Sequence, residues 1–382
     1  MHNLNFKKIL VIFLFFKALD FTIIYIAHYS IPYLGFFSYK RELFSYNVTF
    51  LLTNLANFDG IHYLNIARTG YVQFEQAFFP LFPLAIRFLG IILGKNYLVV
   101  GIIISNVAFL VSLYLFFLIL KEIKLSKSII FWSLIFLLSF PTSFFFGAVY
   151  SESMFLALFL GSTYSLMKGR LIPAMLFAAL ASLTRLIGIF IIIPFVAILI
   201  DKNMLKNLKY SLPIILSPIA GLLAYALYLW KTSGDPLFFI NSQPAFGANR
   251  STHIVLLPQV LYRYIHIFSK MKRQFIYFIA GFEFFSFIIR FSVTTLYLYT
   301  LLKKKPYNLF LISLSIFSFI NLILPSLTGT LSSTPRYALL SPVLFIAFAQ
   351  VKKDIYKVTI FLIFTIFHII LLAFFSQGYF VS

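Results

Sequence analysis

Uninterrupted apolar runs set the frame for this chain. Residues 98–120 and 359–375 approach or reach the roughly 20 residues that a helix needs to cross a hydrocarbon core. Only 11% of the residues are charged, where a soluble domain carries about 25%. That shortfall excludes a soluble core as the destination of so many runs. The first run, 9–31, is too long for a cleaved leader and no small-residue cleavage site follows it. It is expected to stay as a membrane helix. Cysteine is absent, which excludes disulfides, zinc–thiolate sites and thiol nucleophiles.

Loop charge orders the runs. Basic clusters lie at 7–8, 121–127, 168–170, 202–209, 303–305 and 352–357 and hold about half of the 31 Lys and Arg. Placing all six in the cytoplasm makes the apolar segments between them cross in pairs. Those segments are 9–31 with 98–120, 128–146 with 152–167, 171–185 with 187–200, 210–230 with 275–302, and 307–327 with 338–350. A last helix near 357–376 then leaves the C-terminus outside. The expectation is an all-α polytopic protein, one transmembrane domain over 1–382, with about eleven crossings. Two long outer loops remain, about 32–97 and 231–274. The net charge of +21 fits a membrane protein, and nucleic acid is not expected as a partner. The second outer loop breaks the inward bias. It carries Lys231, Arg250, His253, Arg263, Lys270, Lys272 and Arg273 against the single acid Asp235. An anionic lipid carrier or acceptor would explain this, and so would lipid headgroups alone.

The first outer loop reads Asn57-Phe58-Asp59-Gly60-Ile61-His62-Tyr63-Leu64-Asn65-Ile66-Ala67-Arg68-Thr69-Gly70-Tyr71. It predicts a short helix with Asp59 as its N-cap and Gly70 as its stop. Asp59, His62 and Tyr63 then share one face. Ile61, Leu64, Ile66 and Ala67 would seat the helix at the membrane surface. Next comes Ala77-Phe78-Phe79-Pro80-Leu81-Phe82-Pro83-Leu84, whose prolines forbid a continuous helix. Pro83 suits the first position of a new one. Plainer readings stand beside the functional ones. Asp59 could be only a cap, and His62 only an interfacial residue.

This stretch, with Glu75 inside it, resembles the signature of the PIG-V mannosyltransferase family, a group within the GT-C class of membrane glycosyltransferases. The likeness is close over 58–84. It echoes at 145–153 (Phe-Phe-Gly-Ala-Val-Tyr-Ser-Glu-Ser), at 183–188 (Leu-Thr-Arg-Leu-Ile-Gly) and at Pro335-Arg336-Tyr337. Phe58 stands where the family often has Trp. The resemblance implies a GT-C-like fold with interfacial helices in the first outer loop. It also implies transfer of a hexose, mannose by analogy, from a polyprenyl-phosphate carrier to a glycolipid, glycan or protein acceptor. The place would be the extracytoplasmic face of a prokaryotic cell membrane, or the endoplasmic reticulum membrane in a eukaryote. No cofactor and no metal site are expected.

The chemistry such a class performs limits the candidates. A lipid phosphate is already a stable leaving anion, so one carboxylate base is wanted for the acceptor hydroxyl. The phosphate wants Arg, Lys or His around it. There are ten acidic residues. By analogy with the class, Asp59 is the base. Glu75 and Glu152 are candidates to bind acceptor hydroxyls or to hold a basic partner. Arg185 interrupts an apolar stretch and should face a cavity, with a phosphate or a carboxylate opposite. Arg336 with Tyr337 is placed for the donor phosphate, and a snorkelling anchor beside a belt aromatic is its plainer reading. Glu152 could equally be a helix-end residue wetted by headgroups. Lys17 and Asp20, three apart on the first helix, read as an intramembrane ion pair. A transporter or flippase of lipid-linked sugars is the alternative function. It would not need an acid-bearing interfacial helix, and it usually shows repeated halves, which this chain lacks.

Overall fold

The computed structural model describes residues 4–34, 40–247, 250–270, 272 and 274–381. Arg273 of the second loop lies outside them. Among the described residues there is no strand, and helices make the whole architecture. The first helix, α1, is Phe6–Ser30. The loop after it carries α2 (Lys40–Phe44), α3 (Phe50–Thr53), α4 (Asp59–Thr69) and α5 (Leu81–Ile92). There follow α6 (Tyr97–Glu122), α7 (Lys127–Ser139), α8 (Glu152–Met167), α9 (Leu171–Ser182), α10 (Ile192–Asp201) and α11 (Leu208–Ser233). The second long loop holds α12 (Phe238–Asn241) and α13 (Leu257–Lys270). The chain closes with α14 (Phe275–Lys303), α15 (Leu309–Ser326), the single turn α16 (Thr334–Tyr337), α17 (Pro342–Ala349) and α18 (Asp354–Ser376).

Six of these, α1, α6, α11, α14, α15 and α18, are long and apolar enough to cross a membrane alone. Large apolar side chains stand exposed on their outer faces, among them Phe15, Leu223, Leu296 and Ile366. Water would penalise such surfaces and hydrocarbon does not. The chain is an integral membrane protein. The other expected crossings form shorter helices, so crossings beyond six rest on loop charge and not on helix length. The segment expected as one helix over 128–146 stops at Ser139. Pro141 holds Phe140 in an extended conformation (φ −55°, ψ 142°), and a 3-10 turn, Ser143–Phe146, replaces the last part. The return segment expected from 338 starts as a helix only at Pro342.

Packing relies on small residues at two close approaches. A Cβ on Gly221 of α11 would collide with the Ala179 carbonyl of α9, so glycine sets the separation of this helix pair. At Gly188, a Cβ would stand 2.6 Å from the Ser182 backbone. That allows the 3-10 turn Leu186–Ile191 to fold back on the end of α9.

One charged cluster inside the bundle is fully paired. Lys17 and Asp20 form the expected ion pair at 2.5 Å. His368 of α18 joins it, with Nε2 2.8 Å from Asp20 Oδ1 and Nδ1 3.1 Å from Ser143 Oγ. This ties α1, α18 and the 3-10 turn together where an unpaired charge would be costly.

Candidate active site

The helix breaks converge at one end of the bundle. The turn before α8, the turn after α9, the turn α16 and the start of α4 each bring one charged side chain there. Asp59 is the first residue of α4, and Phe58, not Asp59, occupies the cap position. No side chain caps this helix, so the expected cap role for Asp59 does not hold. Its carboxylate turns instead to Arg336, whose Nη1 donates to Oδ2 at 2.6 Å. Arg336 Nε lies 3.4 Å from Glu152 Oε1. Arg185 Nη1 donates to the same Glu152 oxygen at 2.8 Å and to Ser151 Oγ at 3.0 Å. The result is a linear array, Asp59–Arg336–Glu152–Arg185, alternating in sign and neutral in sum. Such an array lets four charges share one low-dielectric site, since each has an opposite neighbour.

Aromatic rings wall the array. The Arg336 guanidinium lies 5.3 Å from the Tyr150 ring centre, 5.4 Å from Phe145 and 5.8 Å from Tyr337. The Arg185 guanidinium lies 5.4 Å from the centre of the same Tyr337 ring. Tyr337 therefore sits in contact with both cations, a contact worth about 2 kcal/mol where water is excluded.

The loops that present these groups are held under strain. Phe58, Phe74 and Ser333 have φ of 60°, 74° and 65°. Each flanks or nearly flanks a site residue, and each such conformation costs about 1–3 kcal/mol. At Phe58 the restraint is visible. The Asn57 amide donates to the Phe375 carbonyl at 2.9 Å, and the Asn57 carbonyl accepts from the Tyr150 hydroxyl at 2.8 Å. Phe58 itself packs on Phe375 and Phe380. The loop before α5 is tied down by Tyr225 of α11, whose hydroxyl donates to the Gln76 carbonyl at 2.7 Å.

The apolar residues expected to seat α4 at the membrane instead face protein. Ile61, Leu64, Ile66 and Ala67 are buried against the protein, chiefly α5 and α6. Gly70 ends the helix as anticipated, with φ 95°. Helix α5 begins at Leu81 with Pro83 inside its first turn, where the missing N–H has no helical partner to lose.

A cavity of about 380 Å³ opens over the array, within the size range of small-molecule sites. Asp59, Tyr63, Arg185, Arg336 and Tyr337 line it, and Arg250 and His253 reach it from the second loop. Asp59 keeps 30% of its side-chain surface open and Arg336 10%, while Glu152 is fully enclosed. Glu152 thus serves both arginines from behind. His62 and Glu75 pair with each other, Nδ1 to Oε1 at 3.1 Å, beside the cavity and not on its wall. Glu75 holds a basic partner there. Tyr63 donates to or accepts from Ser151 at 3.0 Å, linking α4 to the Arg185 hydroxyl partner.

Burial would raise the Asp59 carboxyl. The Arg336 charge and hydrogen bond outweigh it, with smaller help from Arg250 and His62, and hold the group below its ordinary 3.8. Burial likewise acts to raise the Tyr337 hydroxyl, but Arg250, Arg336 and Arg185 together bring it below its ordinary value. The site is therefore a carboxylate with cations around it, suited to a ligand that is itself an anion.

The sequence analysis did not pick out Arg250 on the cavity wall, nor Tyr150, Ser151 and Ser333, which contact the arginines of the array. The excess of cations in the second loop was the one signal pointing to Arg250.

Comparison with known proteins gives one family. A family model described as mannosyltransferase (PIG-V) matches residues 11–211, a span that contains Asp59, Glu75, Glu152 and Arg185. Arg336 lies beyond it and joins the site through geometry. No curated protein and no solved structure matches.

Proposed function

The chain belongs to the mannosyltransferase (PIG-V) family, and from that premise we propose a specific reaction. The protein transfers a mannose residue from a polyprenyl-phosphate carrier to a lipid-linked or glycan acceptor at the extracytoplasmic face. The observation that carries this reading is the Asp59–Arg336 pair at 2.6 Å on the cavity wall.

In the reaction, the acceptor oxygen forms a bond to the anomeric carbon of the sugar. The bond from that carbon to the phosphate oxygen breaks, and its electron pair leaves with the polyprenyl phosphate. The acceptor proton goes to Asp59. No second carboxylate is required, in contrast to glycoside hydrolysis, because the phosphate needs no protonation to depart. Arg336 and Arg185 offset the phosphate charge, with Tyr337 held between them. Arg250 adds a cation from the second loop.

The resting pair also sets an order of events. While Arg336 holds Asp59, the carboxylate is a weak base. A phosphate that takes up the guanidinium weakens that hold and raises the carboxylate's basicity. Donor binding thus prepares the base.

The test is purified protein in liposomes, given radiolabelled polyprenyl-phosphate mannose and a panel of glycolipid and glycan acceptors. Wild type should transfer label, and Arg336→Ala should raise the donor KM by about tenfold or more, as loss of a charged contact implies. Absence of transfer by wild type, or donor dependence unchanged in Arg336→Ala, would contradict the reading.

A further inference from the structure

Arg290 lies on α14 with 2% of its surface exposed. Among the described residues, its two hydrogen bonds go to neutral oxygens. Nη1 donates to the Thr334 carbonyl at 3.1 Å and Nη2 to Ser341 Oγ at 3.0 Å. Burying a guanidinium costs several kcal/mol, and an ionisable residue inside a membrane helix calls for a function. Thr334 is two residues before Arg336 in the same single-turn helix.

Two further supports meet the same segment. Glu283 lies seven residues earlier on α14, so the two charged side chains share a face of that helix. The Tyr264 hydroxyl of α13 donates to Glu283 Oε2 at 2.6 Å, and it accepts from the Leu331 N–H at 3.1 Å. Glu283 thereby fixes the direction of the Tyr264 proton and leaves its lone pair for the backbone. From the other side, the Asn321 amide of α15 donates to the Tyr337 carbonyl at 2.7 Å and to Ser341 Oγ at 3.1 Å. The three backbone groups so held, at Leu331, Thr334 and Tyr337, bracket Ser333 in its left-handed conformation and Arg336.

We propose that Arg290 and the Glu283–Tyr264 pair are positioning residues, a clamp that fixes the backbone turn from which Arg336 reaches Asp59. A short irregular turn has no helix ladder of its own, so its backbone groups must be met from outside. One ångström of misplacement is enough to cost about 100-fold in rate. Neither Arg290 nor Glu283 lines the cavity, so both act through Arg336. The catalytic part of this proposal rests on the reaction proposed above, while the clamp itself does not.

The experiment uses the full chain in detergent micelles and two variants, Arg290→Gln and Tyr264→Phe. Hydrogen–deuterium exchange over 331–337 should quicken at least tenfold in both, with α6 and α8 unchanged. In the transfer assay, the acid limb of kcat/KM should move to higher pH in both, because a looser Arg336 no longer lowers Asp59. A mere loss of folded protein would scale the rate without moving that limb. Arg290→Lys, which keeps the charge and some donors, should recover part of both effects. If Arg290→Gln does not fold, Tyr264→Phe, which removes one hydroxyl, carries the test. Unchanged exchange over 331–337 in the variants that fold would overturn the clamp. Should wild type transfer no mannose, the reaction fails, and the exchange result still decides the clamp.

Discussion

At the scale of single residues, the informative feature is a carboxylate whose character is set by one neighbour. Asp59 is below its ordinary 3.8 because Arg336 offsets the burial that would raise it. The sign follows directly. The contribution of this pair to stability is full above about pH 4, the range of a free carboxylate. It is lost as pH falls through the folded value. For the proposed reaction, the same shift keeps Asp59 ionised throughout the neutral range. Arg336→Gln should therefore move the acid limb of kcat/KM to higher pH, since the strongest influence opposing burial is then gone and only the smaller ones of Arg250 and His62 remain. A pH–rate profile checks this, and an unmoved limb would show that another group titrates. Asp59 was legible in the sequence because acids are scarce and the surrounding motif is dense. Its partner was not legible from spacing, because Arg336 lies 277 residues away. Only the family likeness put the two in one site. Arg290 and Glu283 went unseen as supports for the same reason, since their contacts run through backbone groups of a distant turn.

At the scale of elements, apolar run length and loop charge anticipated most helices. They failed where a helix gives way to a turn that serves the site. The break at Phe140-Pro141 and the 3-10 turn after Arg185 are set by local backbone limits and close packing, which hydropathy does not register. The apolar residues of α4 read in the sequence as a seat on the membrane surface. They face protein instead, and a sequence does not distinguish those two apolar surroundings. The α9–α11 contact gives a direct check. Gly221→Ala adds a methyl against the Ala179 carbonyl and should destabilise by about 1–3 kcal/mol, the usual cost of overpacking. Gly281→Ala, with nothing within 4 Å of the added carbon, is the control. Thermal unfolding in detergent should show a clear fall in Tm for the first and little change for the second. Equal Tm values would mean that the two helices separate freely.

At the scale of the whole molecule, composition points to a membrane protein, and the charge distribution supplies an expectation for its sides. The proposed outward orientation of the site has its own test, made simple by the absence of cysteine. Ser233→Cys, at the end of α11 where the second long loop begins, should react with a membrane-impermeant maleimide in intact cells. Lys304→Cys, in a basic cluster, should react only after permeabilisation. The reverse pattern would place the site on the cytoplasmic side. What joins these scales is the claim that one carboxylate, steadied by one arginine, activates the acceptor in a lipid-phosphate-dependent transfer. The most direct measurement is the single-turnover rate of mannose transfer from radiolabelled polyprenyl-phosphate mannose by wild type and by Asp59→Asn, with matched unfolding curves. The account predicts a loss of at least about 100-fold, the scale of a missing general base, in a variant that stays folded. A folded Asp59→Asn protein that transfers at the wild-type rate would contradict it.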